Sequence, residues 1–198
     1  MKFLVGALIV AIVCVALALT VIYSGLYNVS QANHDNALVN WVMETTVKRS
    51  VQKRAKGIQV PDLADTSLIA LGVREYRSCV NCHGAPGREP GGMAKGVWPE
   101  APDLAKTADE WTPAELYWII RNGVKFTSMP AWGPSHDDRE LWAMTAFVKK
   151  LPHLSESEYK AMQAAAGISG PGGPGGPGGP GGPGQAGPGQ GGPPPMPR

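Results

Sequence analysis

Two cysteines three positions apart, with a histidine directly after the second, constrain this chain more than any other stretch: Cys79-Val80-Asn81-Cys82-His83. Each thiol can add to one vinyl group of a porphyrin and form a thioether. The short turn between them then brings the His83 imidazole to where it can ligate iron as the proximal ligand. The pattern therefore reads as a covalent attachment site for haem c. Two other chemistries use similar spacings. A redox dithiol would need a βαβ context, and no strand pattern flanks this stretch. A zinc site would need a second Cys/His pair, and the remaining cysteine, Cys14, lies in an apolar run. With Cys79 and Cys82 committed to haem no internal disulfide can form, so the compartment has to be inferred from haem attachment and topology.

A chain of 198 residues suggests one folded domain with appendages. Its formal charge of +2 lends no electrostatic support to a nucleic-acid partner. Residues 3–27 carry no charged side chain and are mostly Leu, Val, Ile and Ala. That is about the length a helix needs to cross a bilayer. Lys2 precedes the run, whereas residues 28–33 contain no Lys or Arg, which puts the N-terminus in the cytoplasm and the rest outside. Residues 1–27 are therefore read as a retained anchor in contact with membrane lipid, with Tyr23 and Tyr27 in the interfacial belt. The rival is a cleaved signal peptide with Ala16-Leu17-Ala18 as its processing site, but the apolar run continues past it.

Residues 28–67 read as a juxtamembrane connector. Trp41 to Lys56 has helical character and is basic at Lys48, Arg49, Lys53, Arg54 and Lys56. It could lie on an anionic membrane surface, and the simpler expectation is a solvated helix or spacer. Beyond it the pattern alternates helix and loop. One helix is expected over residues 66–78, capped at Asp65 or Thr66 and delivering Cys79 at its C-terminal end. An irregular Gly/Pro-rich segment, residues 84–109, follows. A loop of that length inside a small domain needs something else to fill the core, and Met93, Trp98 and Leu104 are candidates to pack on a buried haem. Thr112, Pro113 and Glu115 mark the next helix, with Leu116, Ile119 and Ile120 as its apolar face and Gly123 as its stop. A further helix is expected from near Ser135 to Lys150, with Asp138 in the capping position and Leu141, Met144, Val148 and Leu151 at helical spacing. A short one capped by Ser155 and Glu158 ends at Gly167. The tail within residues 168–198 is Gly/Pro-rich, carries almost no apolar side chains besides proline, and should be disordered.

The sixth iron ligand is expected to be Met129, in Ser128-Met129-Pro130-Ala131-Trp132. It follows a Gly-terminated helix, and Pro130 helps to hold the loop extended. His136 is the main rival but stands beside two aspartates at a helix start. His34 and His153 lie outside the haem core, Met93 comes too soon after His83, and Met144 fits the apolar face of its helix.

These residues resemble a class I c-type cytochrome, monohaem and His/Met-ligated. The likeness rests on CVNCHG after a helix bearing Gly72 and Tyr76, on SMPAW for the axial methionine, and on an aromatic-bearing last helix, over about residues 68–151. It implies an all-α fold, a small helical domain around one covalent haem over residues 68–153, preceded by a single transmembrane helix. It also implies that the first and last helices of that domain cross, Gly72 permitting close approach, and that haem is assembled on the periplasmic face of a bacterial cytoplasmic membrane. Trp98 and Trp132 are expected to pack on the haem. The leading function is single-electron transfer between respiratory or dehydrogenase partners in or at the membrane, without enzymatic activity of its own. The alternatives are a haem subunit docked permanently in an oxidase or dehydrogenase complex, and a haem catalyst or gas sensor with a labile sixth position.

Overall fold

A computed structural model of the protein describes residues 2–32 and 37–168, apart from the side chain of Met93. The expectations for the Gly/Pro tail beyond residue 168 and for His34 fall outside these residues. Among the described residues the fold is entirely helical, with no strand beyond one isolated bridge between Ala85 and Arg88.

Lys2–Ser24 forms α1, 23 residues with every side chain exposed. Its length and hydropathy suit a membrane span, a test that a signal sequence near the N-terminus also passes. Gly25, with φ of 68°, follows its end.

Ala37–Arg54 forms α2, and here the expectation of a solvated spacer is corrected. Val51 is 1% exposed, Ala55 is buried, and the helix lies against α6 (Pro113–Asn122). Val47, Val51 and Ala55 recur every four residues and so share one narrow face. Five basic side chains around that stripe disguise it in the sequence. After the helix, Ile58 and Leu63 pack on core clusters around Tyr117 and Ala143 respectively.

α3 (Thr66–Glu75) starts where Asp65 accepts hydrogen bonds from the backbone N–H groups of Ser67 and Leu68. It continues through a 3₁₀ turn, Tyr76–Ser78, into α4 (Val80–His83), the single turn that has Cys79 at its N-cap and Cys82 and His83 as its last two residues. α3 crosses α7 (Asp138–Lys150), and this is the most extensive helix pair in the fold. A Cβ on Gly72 would stand 2.1 Å from the carbonyl oxygen of Ala143 and 2.7 Å from Cβ of Phe147. Only glycine allows the two backbones so close, as expected for this position. Tyr76 locks the crossing: its ring meets Phe147 edge-on at 5.3 Å, and its buried hydroxyl donates to the Gly84 carbonyl at 2.7 Å.

Two boundaries differ from expectation. The N-cap of α7 is Asp137, not Asp138. Its carboxylate accepts from the N–H of Glu140, whose carboxylate accepts from the Asp137 N–H, closing a capping box. Asp138 instead pairs with Arg121 and accepts from the Tyr117 hydroxyl. The segment 84–109 is also less irregular than its composition suggests. It contains a 3₁₀ turn, Gly92–Gly96, the one-turn helix α5 (Leu104–Thr107) capped by Asp103, and a second turn, Ala108–Glu110. Lys149 ties this segment to α7 by donating to the carbonyls of Ala108 and Trp111, at 3.3 Å each, and to Asp109 at 2.6 Å. α8 (Glu156–Ala165) closes the fold with a Ser155/Glu158 capping box, and its Tyr159 is buried in the same core as Phe147 and Leu151.

Candidate functional site

An apolar cavity lies where α4, α5, α6 and the loop after α6 meet. Its walls include Cys79, Cys82 and His83 from the haem-type motif, and Met129 and Trp132 from the loop. Ile119 and Ile120 of α6, Leu104 of α5, Val47 of α2 and Val148 of α7 complete much of the lining. Residues up to 101 positions apart in sequence (47 and 148) thus share one wall system. Trp98 does not line the cavity, although its neighbours Val97 and Pro99 do, and its backbone N–H donates to Oε1 of Gln31 at 2.6 Å. Trp111 and Val47 were missed in the sequence. Trp111 sits beside a capping box and Val47 in a basic stretch, and neither setting signals a cavity wall.

His83 arrives with its tautomer decided. Its Nδ1 lies 2.8 Å from the carbonyl oxygen of Pro102, which can only accept, so Nδ1 carries the proton and Nε2 keeps its lone pair. Burial holds the imidazole pKa below its ordinary value, with the Pro102 hydrogen bond opposing. Burial thus favours the neutral ring that a metal ligand must be.

Burial, with smaller contributions from Cys82 and Glu75, pushes the Cys79 thiol up to about 12. That runs opposite to the lowered thiol pKa on which a redox dithiol depends, and it weighs against the oxidoreductase reading of the motif. The zinc reading gains nothing either, since no group of three or more His, Cys, Asp or Glu side chains is placed to hold a metal ion among the described residues.

Met129 is fixed from both sides. Its N–H donates to the Thr127 hydroxyl at 3.1 Å, and its carbonyl accepts from the Val124 N–H at 3.2 Å. The loop then returns over the end of α6, where Trp132 and Gly133 donate to the carbonyls of Ile120 and Arg121 at 3.1 and 2.9 Å. Gly123 makes this possible: its φ is 63°, and a Cβ there would stand 2.6 Å from the carbonyl carbon of Pro130. His136 is drawn elsewhere, with Nδ1 near the Ser135 hydroxyl and Nε2 3.6 Å from Glu75. Met144 is buried in the core with Tyr117, Ile120 and Leu141.

The cavity residues fit a haem c. A motif with two thiols and one ligating nitrogen shares an apolar chamber with a thioether. The buried indole Nε1 of Trp132 also has no hydrogen-bond partner. A buried donor left unsatisfied on a cavity wall suits a ligand that brings its own acceptor, and the carboxylate edge of a haem does so.

The family comparison agrees. Residues 70–148 match the model of the family described as cytochrome C oxidase, cbb3-type, subunit III. Among solved structures, the chain is similar to the Kuenenia stuttgartiensis reducing HAO-like protein complex, with 23% identity and a TM-score of 0.42, over 48% of this chain and 47% of that one. The chain thus spans about half the length of that relative. No curated protein matches. The family match encloses Cys79, Cys82, His83 and Met129, and residues 70–148 are a c-type cytochrome domain.

Proposed function

We propose that the chain is a membrane-anchored monohaem cytochrome that carries single electrons between redox proteins in or at the membrane. One haem c would be joined to Cys79 and Cys82, with His83 as proximal and Met129 as distal ligand. The observation that carries this reading is the convergence of those four side chains on one apolar cavity, with Nε2 of His83 left free as a lone-pair donor. Bound there, the haem would supply reversible one-electron exchange between ferric and ferrous iron. The residues supply the rest. The thioether of Met129 is a soft ligand that favours the reduced state, and the apolar walls disfavour extra positive charge. The Met129 N–H donates to Thr127 and its carbonyl accepts from Val124, which fixes the backbone that presents the thioether and favours a constant sixth ligand over a catalyst or gas sensor. α1 would serve as the anchor, with the haem domain on the periplasmic side of a bacterial cytoplasmic membrane.

A second reading, a haem subunit docked permanently in an oxidase, draws support from the description of the matched family. The decisive experiment is acid–organic extraction of the purified, denatured protein, with a redox titration of the native form. Haem should stay with the polypeptide at one per chain, be lost when Cys79 and Cys82 are both replaced by alanine, and titrate as a one-electron couple. Extraction of the haem from the unmodified chain would overturn the assignment. Purification in mild detergent separates the two readings: a free cytochrome elutes alone, and a docked subunit brings its complex.

A further inference from the structure

α2 presents two faces of unrelated chemistry. On one side Val47 lines the haem cavity, and Val51 and Ala55 are buried. At 3.6 residues per turn, Leu38, Val42, Arg49 and Lys53 fall within a sector of about 60° on the opposite side. All four are exposed, Leu38 at 68% and Val42 at 44%. Lys56, just past the helix, joins Arg49 and Lys53 along an open groove whose far wall is the start of α6. Among the described residues, Arg49, Lys53 and Lys56 make no ion pair. The acid of α2, Glu44, falls on the side of the wheel that carries Val47 and Val51. Glu115, across the groove, already accepts from the N–H and hydroxyl of Thr112 at 2.8 and 2.9 Å.

We infer that this stripe lies on the anionic headgroups of the membrane that α1 enters, an inference that rests on the reading of α1 as an anchor. The stripe has the two components an interfacial helix needs, exposed apolar side chains for the acyl boundary and unpaired cations for the phosphates. Their order also fits, because Leu38 and Val42 stand at the end of α2 nearer in sequence to α1. α1 ends at Ser24 and α2 begins at Ala37, so the linker, residues 25–36, reaches no more than about 40 Å. It keeps the stripe at high effective concentration near the bilayer. Each cation at an anionic surface contributes roughly a fivefold preference. An acidic protein would satisfy the cations but would leave the exposed Leu38 and Val42 without a role. Because Val47 and the stripe occupy opposite sides of one helix, the haem cavity would stand about a helix diameter, roughly 10 Å, from the headgroups. Electron partners would then be met along the membrane plane.

The test is amine footprinting of the full-length holoprotein in nanodiscs, with a water-soluble acylating reagent at single-hit levels. Discs of phosphatidylcholine alone are compared with discs containing phosphatidylglycerol. Lys95 and Lys125, both exposed, serve as internal standards. Labelling of Lys53 and Lys56 should fall at least about threefold in the anionic discs and recover at about 0.5 M salt, while the standards stay constant. Equal labelling in both discs, with the protein retained in both, overturns the stripe and leaves the anchor standing. Protein that leaves the neutral discs but is held and protected by the anionic ones removes the anchor and supports the stripe. Loss from both discs overturns both. Protection that requires added soluble protein and ignores lipid charge overturns the lipid assignment and gives the surface to a protein partner.

Discussion

His83 and Met129 reach the cavity by different means. His83 is oriented by one hydrogen bond to Pro102, whereas Met129 is held by its own backbone, clamped to Thr127 and Val124. Replacing Met129 by alanine should therefore leave the loop in place and remove only the thioether. The ferric holoprotein is expected to lose its weak long-wavelength sulfur-to-iron charge-transfer band and to show a lower reduction potential, and the protein reduced with dithionite is expected to bind carbon monoxide, all measurable by optical titration. An unchanged spectrum would move the ligand elsewhere. Residue chemistry also sets the acid limit. Hydrogen bonds hold four carboxyl groups below their ordinary values of 3.8 for Asp and 4.5 for Glu: Asp65 by Ser67, Asp109 by Lys149, Asp138 by Tyr117 and then Arg121, and Glu158 by Ser155. A native pKa below the unfolded one means that the unfolded chain takes up protons first as pH falls. The stability these groups confer is thus complete at neutral pH and declines as pH drops below about 4. The urea midpoint of the holoprotein should fall steadily as pH drops from about 5 to about 3.

At the scale of elements, each helix is placed by a small number of contacts that its own sequence marks poorly or well. α6 and α8 announce themselves through complete capping boxes. α2 does not, since its inward stripe of Val47, Val51 and Ala55 is outnumbered by charge. The buried Val51 makes α2 part of the haem domain's core, and Val51→Ala should lower the stability of the holoprotein by roughly 1–2 kcal/mol in denaturant unfolding. A detached spacer would show no change, because an exposed Val→Ala substitution in a helix costs nothing of that size.

For the whole molecule, docking of α2 shortens the free tether. The connector of forty residues, 28–67, reduces to residues 25–36 between α1 and α2. With α1 retained in a bilayer the cytochrome domain would be held close to it, and because within residues 68–153 ten basic side chains balance ten acidic ones, proximity would take the place of long-range steering. Retention of α1 is the condition. Intact mass of the mature protein should include residues 1–27, and alkaline carbonate should fail to strip it from membranes. A mature N-terminus at Leu19, after Ala16-Leu17-Ala18, would show cleavage instead.

What the chain's letters determined alone was whatever local chemistry encodes. The Cys79–His83 motif names its cofactor because thioether formation and iron ligation need those atoms at that spacing. The capped α6 and α8 are likewise short-range patterns, as is the apolar run of α1, which suits a membrane span and a signal sequence alike, whereas the Gly72 approach was implied by the resemblance to class I c-type cytochromes. Only the tertiary structure decided which side chains share the cavity. It brought in Val47, Trp111 and Val148, left Trp98 off the wall while its neighbours lined it, and set Pro102 against His83 from nineteen positions away. It also moved the α7 cap to Asp137, freeing Asp138 for Tyr117 and Arg121. Such choices depend on the relative placement of distant helices, and that is settled by burial of the whole apolar surface at once, a sum that no single window of sequence contains.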